Sequence, residues 1–242
     1  MPIPFLRAEW RYLAMLNYRV APALLEPLVP LGTELDLFDG AVYVSIVGFL
    51  FERTRILGIA VPSHVDFEEV NLRFYVRRNV AGEIRRGVVF IRELVPRFAI
   101  TLTANTLYNE PYRTARMRHV ISRESGSLSG VEYSWNVDGE WTTLRAMVTG
   151  TPRDLVAGSE EEFITEHYWG YTKQRDGGTI EYRVDHPPWR VWRATAGSLT
   201  GNTAAVYGEA FAAALATPPH SVFVADGSAV TVYAPSRIRT SV

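Results

Sequence analysis

The sequence predicts a mainly β protein of the α+β class, in which an antiparallel barrel or sandwich carries a few short helices at its ends. Three observations support this fold class. Roughly ten or more segments have the β-branched and aromatic character of strands, and Asp-Gly turns separate several of them. Only three or four segments, roughly counted, have helical character.

Length and composition limit the domain count and the functional class. With 242 residues, of which 47% are hydrophobic, the chain is long enough to bury a large core. No linker or internal repeat divides it, so we expect residues 1–242 to form one domain. The net charge is −1 and its signs are interspersed, which argues against a nucleic-acid partner. The absence of cysteine excludes disulfides, thiolate metal sites and a cysteine nucleophile.

We expect a cytoplasmic protein without a membrane partner. The longest apolar run, Ala41–Phe51, is too short to span a bilayer, and the N-terminus lacks the pattern of a secretory signal.

The N-terminal elements follow from local patterns. Glu9–Val20 is rich in aromatic and aliphatic residues, as is typical of a half-buried strand. Pro22 then begins a short helix, because proline loses no hydrogen bond at the first helical position. A hairpin is predicted from Glu34–Phe38 through Asp39-Gly40 into Ala41–Arg53, a nearly all-apolar strand that is buried on both faces.

The central elements are two strands, a helix and a second group of strands. Phe67–Arg77 alternates in polarity and returns through a turn at Gly82 into a strand at Arg86–Leu94. Pro96 is predicted to begin a helix that contains Asn105. Further strands are predicted at Arg113–Arg123, Gly130–Asn136 and Trp141–Thr149, the last two joined by an Asp-Gly hairpin turn.

The C-terminal part begins with a capping box, Ser159–Glu162, that starts a helix ending near His167. The other predicted elements are a hairpin of Tyr168–Lys173 and Thr179–His186, a strand at Trp189–Thr200, a helix from Asn202 to Leu215, and a hairpin within Ser221–Tyr233 that turns at Asp226-Gly227.

Polar residues are concentrated among apolar neighbours between His64 and Arg116. In Phe67–Arg77 the alternation places Asn71, Arg73 and Tyr75 on one face. An inward arginine would offer a forked donor to a carboxylate or phosphate. The alternative interpretation is a solvated outer face of the sheet.

Two residues are candidates for acid–base catalysis. His64 has a suitable intrinsic pKa and lies within reach of Asp66 or Glu68 if the segment turns, although a structural role is the alternative. Glu93 follows an apolar strand, and a structural ion pair with a neighbouring arginine competes with catalysis as its role. No HExxH pattern or compact His/Asp cluster is present, so we predict neither a metal nor a cofactor.

A second concentration of titratable and aromatic groups lies further along the chain. It is expected either to line a cavity mouth or to pack a helix against the sheet, and it comprises Glu166, His167, Tyr168, Tyr171, His186 and Trp189. No phosphate-binding loop or G-x-S-x-G nucleophile elbow is present.

Several stretches together resemble a known family. They are EVNLRFYV, GVVFIREL, NEPYRTARM, EHYWGYTK and HPPW, and they resemble the YqjF-like family of uncharacterised proteins in the acetoacetate decarboxylase-like superfamily. The resemblance covers Trp10 to Tyr233. It implies a closed, cone-like antiparallel β-barrel flanked by helices, with an internal ligand cavity, and it implies no known activity.

The resemblance to acetoacetate decarboxylase itself is weaker. RYLAMLNYR is similar to the first strand of that enzyme, which implies that Arg11 is a pocket arginine. RELVPRFAI is similar to the segment that ends in adjacent lysines, and here Ala99 and Ile100 occupy those places. The Schiff-base lysine is therefore missing. Of the 25 lysine and arginine residues only Lys173 is lysine, at a predicted hairpin tip where water would keep its amine protonated.

These observations predict a protein that binds a small anionic or oxo-acid-like molecule in an internal pocket, without Schiff-base decarboxylase activity. The alternatives are a lyase or hydrolase that uses Glu93 or His64, and a partner-binding protein whose exposed apolar patch could equally mark a homo-oligomer face. The predicted ligand-binding residues are Arg11, Asn71, Arg73, Tyr75, Glu93, Asn105, Tyr112 and Arg116.

Overall fold

The computed structural model describes residues 3–60, 65–96 and 111–238, and its strands join in one 14-stranded sheet. In chain order they are β1 (Pro4–Val20), β2 (Glu34–Leu35), β3 (Val42–Ile56), β4 (Phe67–Val80), β5 (Glu83–Val95), β6 (Tyr112–Thr114), β7 (Arg116–Glu124), β8 (Ser127–Val137), β9 (Glu140–Val148), β10 (Trp169–Lys173), β11 (Thr179–Asp185), β12 (Val191–Thr200), β13 (Ser221–Tyr233) and β14 (Ser236–Arg237).

The helices of the described residues are short. They are α1 (Pro22–Leu25), which continues into a 3₁₀ turn (Glu26–Leu28), α2 (Glu160–Thr165), α3 (Ala204–Tyr207) and α4 (Glu209–Leu215). As the capping box predicts, the Ser159 side chain accepts a hydrogen bond from the Glu162 backbone N–H at 3.2 Å. None of the described helices is long and apolar enough to cross a membrane. The helix predicted from Pro96 lies outside the described residues.

Seven strands close into a ring in the order β1, β3, β4, β5, β10, β11 and β13. The ring closes where β11 pairs with β13, with Val184 opposite Val232. The predicted mainly β fold with few short helices is confirmed, with one correction to its antiparallel character. Two strands run parallel to β5: β10, with Trp169 opposite Gly87, and β6, with Tyr112 opposite Glu93.

The sheet continues outside the ring through β12, β9, β8 and β7, and this outer part covers one side of the ring. Gly48 on β3 permits the contact, because a Cβ atom there would lie 2.6 Å from the Tyr133 ring. β3 is therefore covered on both faces, and Val42–Phe51 is buried without interruption, as its apolar sequence predicts.

The predicted hairpin between Glu34–Phe38 and Ala41–Arg53 is wrong. β2 pairs with β4, and only an isolated bridge joins Phe38 to Ala41. The reason is that β1 and β4 occupy both edges of β3, so β3 has no free edge for this segment.

The predicted hairpin turn at Asp226-Gly227 is also wrong, because β13 runs through it without reversing. Gly227 has a φ of 79° and lies so close to β1 that a Cβ atom would be 1.9 Å from the Trp10 carbonyl oxygen. The Asp226 carboxylate binds Arg190. The Asp-Gly pair therefore marks an irregularity within a paired strand.

Two smaller differences also have local causes. The helix predicted from Asn202 to Leu215 is divided into α3 and α4 by Gly208, whose φ of 80° and ψ of 163° are not helical. In β1, Tyr12 has a φ of 54°, and the register against β3 shifts between Arg11 and Ala14. This bulge changes which side chains of β1 face the ring interior.

Candidate functional site

One face of β4 brings polar side chains into the interior of the ring. Val70, Leu72, Phe74 and Val76 pack in the core beneath the outer sheet. The alternate residues Glu69, Asn71, Arg73 and Tyr75 are buried on the opposite face, and Tyr75 belongs to the interior cluster. The face predicted from alternation for Asn71, Arg73 and Tyr75 is therefore present, and it is buried rather than solvated.

Two buried carboxyl groups and a phenol meet at one part of this interior. Asn71 donates to Glu69 Oε1 at 3.0 Å, and the Tyr112 hydroxyl donates to Glu69 Oε2 at 3.1 Å. Glu93, only 2% exposed, lies opposite Asn71 on one side and Tyr112 on the other. The order of β4, β5 and β6 in the sheet is what brings these four residues together.

The environment of Glu69 makes it a proton donor or acceptor near neutral pH. Glu69 is 3% exposed, and its burial raises the pKa of the carboxyl to about 7, against the lowering effect of Asn71, Tyr112 and the Arg73 charge. Burial, together with the charges of Glu69 and Glu93, raises the pKa of Tyr112 well above its usual range. The phenol therefore keeps its proton and stays a donor.

Arg73 is a buried cation that forms no ion pair within the described residues. It is 8% exposed, and Nη2 contacts the Ile164 carbonyl oxygen at 3.4 Å and the Met15 sulfur at 3.9 Å. Among the described residues, its Nε has no hydrogen-bond acceptor and no carboxylate forms an ion pair with it. Buried charges are ordinarily paired. The described residues therefore do not neutralise this guanidinium through an ion pair.

A histidine and an aspartate lie beside Tyr75. The ring of His167 is 4.6 Å from the Tyr75 ring, and its Nε2 is 3.6 Å from Asp36 Oδ2. Arg86 donates to the same oxygen at 2.7 Å. Burial lowers the pKa of His167 to about 4, and the positive charges of Arg86 and Arg73 act in the same direction. His167 is therefore neutral at pH 7.

A chain of hydrogen bonds leads from Tyr75 towards α2. Tyr75 donates to Ser45 at 2.6 Å, Ser45 donates to Asn17 Oδ1 at 2.6 Å, and Asn17 donates to Ser221 at 2.9 Å. Ser221 in turn donates to a carboxylate oxygen of Glu160. Because a carboxylate only accepts, it sets the direction of the whole chain, and the Tyr75 proton is committed to Ser45.

The structure brings some predicted residues together and separates others. Asn71, Arg73, Tyr75, Glu93 and Tyr112 share the interior. His64 and Asn105 lie outside the described residues, as do Ala99 and Ile100.

Arg11 and Arg116 do not join this group. Arg11 has a side chain that is 35% exposed and forms an ion pair with Glu9, because the bulge at Tyr12 separates it from the interior positions of β1. Arg116 is exposed on β7 and donates to Asn136 at 3.3 Å. Neither arginine therefore lies with the interior residues among which the pocket is predicted.

The aromatic concentration of the C-terminal part is divided between two places. His186 stacks on Trp189 with centroids 4.1 Å apart, and Tyr168 lies 4.8 Å from His186. Tyr168 also donates to Glu166. Tyr171 is buried elsewhere, against Gly87. His167 contacts Tyr75 of the interior face, and Trp189 belongs to the same interior cluster as Tyr75.

The interior also contains residues that sequence patterns did not indicate. Ser45 and Asn17 lie in apolar strands, and Asp36 lies in the segment whose predicted pairing with Ala41–Arg53 is wrong. No spacing or motif marks them, because their partners are distant in sequence. Within the described ranges no group of three His, Cys, Asp or Glu residues is arranged to hold a metal ion.

Comparisons with known proteins agree with this architecture. Residues 7–229 match the family model DUF2071, described as an uncharacterized conserved protein. Uncharacterized protein YqjF of Bacillus subtilis (strain 168) is 27% identical over 194 residues, which cover 79% of this chain and 76% of that protein.

Two solved structures are similar in fold. Acetoacetate decarboxylase from Legionella pneumophila has a TM-score of 0.70 at 13% identity, over 98% of this chain and 88% of that chain. The enduracididine biosynthesis enzyme MppR complexed with pyruvate has a TM-score of 0.70 at 16% identity, over 98% of this chain and 91% of that chain. At these identities the likeness concerns the fold.

The family and the fold class expected from the sequence resemblance are thereby confirmed. The fold is that of the acetoacetate decarboxylase-like proteins, and YqjF is a relative. Because the family match spans most of the sequence, the chain belongs to the DUF2071 family of uncharacterized conserved proteins.

Proposed function

We propose that the ring interior binds a small anionic, oxo-acid-like molecule through Arg73, and that the protein has no Schiff-base decarboxylase activity. The observation that carries this proposal is the buried guanidinium of Arg73, which has no ion pair within the described residues.

The energetic argument concerns the cost of a buried charge. Removing a cation from water without an anionic partner costs several kcal/mol, roughly, in a protein interior. A carboxylate supplied by a ligand would offset this cost, and it would match the planar, forked donors of arginine. Asn71 lies on the same face and adds a polar group beside the proposed carboxylate position, as Glu69 does when it is protonated.

The fold comparisons support the choice of ligand class. Acetoacetate decarboxylase is named for an oxo acid, and the MppR structure contains pyruvate, which is another. These facts concern those proteins, and they motivate the compounds to be tested here.

The proposal excludes a Schiff base because of the position of the one lysine. Lys173 is exposed at the end of β10, and its Nζ donates to the Pro27 carbonyl oxygen at 3.3 Å. A Schiff-base lysine needs a desolvated pocket or a neighbouring cation, and an exposed amine at the end of a strand lacks the desolvated pocket. Borohydride treatment in the presence of pyruvate or acetoacetate should therefore leave the mass of the protein unchanged.

Calorimetric titration tests the binding. Pyruvate and acetoacetate should bind to the protein, whereas methyl pyruvate, which lacks the carboxylate, should not. Arg73→Gln should weaken binding of both acids by about tenfold or more, since a charge-assisted contact is lost.

Arg77→Gln is the matched control. Arg77 lies four residues further along β4, where its side chain is exposed and paired with Glu34 at 2.8 Å. This variant should bind both acids like the unmodified protein. Absence of any binding, or equal binding by the Arg73 and Arg77 variants, would contradict the proposal.

A second candidate function is an enzyme that uses acid–base chemistry in the same interior. The observation that favours it is Glu69, whose pKa of about 7 lets it take and return a proton, beside Glu93 and Tyr112. The sequence predicts Glu93 or His64 for this role, and Glu69 is a further candidate beside Glu93. The reaction class would be that of a lyase or hydrolase.

Proton exchange is the simplest reaction that tests this candidate. In D₂O, a glutamate carboxylate would remove a proton from the methyl carbon of pyruvate to give the enolate, and a deuteron from solvent would replace it. NMR should show exchange faster than in buffer, and slower in Glu69→Gln and Glu93→Gln. Exchange at the buffer rate in the unmodified protein would exclude this chemistry on pyruvate.

A further inference from the structure

The imidazole of His167 is buried inside the protein, and the described residues supply no partner for its Nδ1. Its side chain is 2% exposed, Nε2 lies 3.6 Å from Asp36 Oδ2, and Nδ1 has no hydrogen-bond partner among the described residues. The ring packs between Tyr75 and Phe163, both of which belong to the interior cluster, at centroid distances of 4.6 and 5.4 Å. A buried polar group without a partner is uncommon in native proteins and indicates that a further molecule supplies one.

The surroundings of the ring set its tautomer. A neutral imidazole has one donor and one acceptor nitrogen. Asp36, whose carboxylate can only accept, lies 3.6 Å from Nε2, and this proximity favours the proton on Nε2. Nδ1 is then left as an acceptor. Tyr75 cannot satisfy it, because the Tyr75 hydroxyl proton is donated to Ser45.

We infer that the interior site selects small carboxylic acids that also carry a hydroxyl group, with Arg73 holding the carboxylate and His167 Nδ1 accepting the hydroxyl proton. This inference rests on the proposed function and adds a second recognition element to it. Tyr75 connects the two residues, since the Arg73 guanidinium lies 5.7 Å from the Tyr75 ring and His167 packs on the same ring.

The same chemistry disfavours two related ligand classes. The carbonyl oxygen of an oxo acid only accepts, so it leaves Nδ1 without a donor, unless the acid is bound as its enol or hydrate. An amino acid would place an ammonium group near the guanidinium groups of Arg73 and Arg86, both of which already lower the pKa of His167. The hydroxy acid is therefore the preferred member of each such series.

Matched acid pairs test this inference by calorimetry. Lactate is compared with pyruvate, and 3-hydroxybutyrate with acetoacetate. In at least one pair the hydroxy acid should bind about tenfold more tightly, which is the usual effect of one hydrogen bond to a buried acceptor. His167→Leu should abolish this preference while pyruvate still binds. His167→Asn, which keeps an oxygen acceptor at the same number of bonds from Cβ as Nδ1, should retain part of it.

Two controls separate a recognition role from a structural one. His119→Leu changes an exposed histidine that contacts Glu68, and it should leave the preference intact. In the unmodified protein, ¹⁵N NMR of the imidazoles should show the Nε2–H tautomer for His167 and a shift of Nδ1 on addition of lactate. This measurement does not depend on whether the variants fold.

The outcomes distinguish this inference from the proposed function. If no acid binds, the proposed function fails and the inference fails with it. If pyruvate and acetoacetate bind without a hydroxyl preference, or if His167 carries its proton on Nδ1, the inference alone is overturned.

Discussion

The Tyr112 hydroxyl on β6 donates a hydrogen bond of 3.1 Å to Glu69 Oε2 on β4, although the two residues are 43 positions apart in the sequence. The bond stabilises the ionised form of Glu69, because it lowers the pKa that burial raises. Tyr112→Phe should therefore lower the free energy of unfolding by about 2 kcal/mol at pH 8. At pH 5, where Glu69 is protonated, urea unfolding should show a smaller loss.

Tyr233→Phe provides the matched control for this substitution. Tyr233 donates to Asp185 Oδ2 at 2.8 Å, but that carboxylate is partly exposed to water. Because water replaces the lost donor, the effect should be the same at both pH values. A Tyr112 variant that behaves like this control would show that the phenol does not bind an ionised Glu69.

Glu69 should make the folded state less stable as the pH rises. Its pKa is about 7 in the folded chain and 4.5 in the unfolded chain, so the folded state binds the proton more tightly. The associated stability is complete below pH 4.5 and is lost as the pH rises through 7. We therefore compare the free energy of unfolding of Glu69→Gln with that of the unmodified protein. The difference should shift in favour of the variant by on the order of 3 kcal/mol between pH 4 and pH 8.

His167 should have the opposite effect. Its pKa is about 4 in the folded chain and 6.5 in the unfolded chain, so the stability is complete above pH 6.5 and is lost as the pH falls through 4. Between about pH 4 and 7, the stability contributions of Glu69 and His167 therefore change with pH in opposite directions. Relative to the unmodified protein, Glu69→Gln should be more sensitive to acid, and His167→Asn should be more sensitive to base. Parallel stability curves from urea unfolding at pH 4, 5.5 and 8 would contradict both assignments.

The part of the site on β4 was predictable because its pattern is local. Alternation with Val70 and Leu72 places Asn71 and Arg73 on one face, whatever the partners of the strand are. Burial of that face on the inside of the ring, however, depends on closure between β11 and β13, which no local pattern specifies.

Other features could not be predicted because distant partners decide them. Ser45 lies in a strand buried on both faces, so polarity does not distinguish its inner side from its outer side. Arg11 was expected to be in the pocket, and a bulge of one residue at Tyr12 is enough to move it. Asp226-Gly227 indicates a hairpin in isolation, but the pairing of Gly227 with Arg11 on β1 keeps β13 extended.

Ser45 forms hydrogen bonds with two buried groups, Tyr75 and Asn17, so Ser45→Ala should lower the stability of the protein. Ser45→Ala leaves the Tyr75 hydroxyl without an acceptor and Asn17 Oδ1 without a donor. The free energy of unfolding should fall by about 3 kcal/mol, since each buried group loses its partner. Tyr75→Phe in the Ser45→Ala background should cost less than in the unmodified protein, because the hydroxyl it removes has already lost its acceptor.

Ser198→Ala is the control for that double-mutant cycle. Ser198 is exposed on β12, and its substitution should change the free energy of unfolding by less than about 0.5 kcal/mol. Strict additivity of the Ser45 and Tyr75 substitutions would show that the two hydroxyl groups are not coupled in solution.

The close approach of β13 to β1 at Gly227 can be separated from the effect of its backbone conformation. Gly227 and Gly82 have φ values of 79° and 92°, so alanine is strained at both positions. At Gly82 a Cβ atom would meet nothing within 4 Å, whereas at Gly227 it would lie 1.9 Å from the Trp10 carbonyl oxygen.

Gly82→Ala should therefore cost about 1 kcal/mol, which is the usual effect of a positive φ alone. Gly227→Ala should cost about 4 kcal/mol or more, because backbone atoms of β1 must move away. The bulge at Tyr12 and the interior residues Leu13 and Met15 follow directly on β1, so this displacement should also weaken pyruvate binding at Arg73. Equal losses in the two variants, measured by urea unfolding, would mean that the strands can separate at Gly227 without cost, and pyruvate binding should then be unaffected by either substitution.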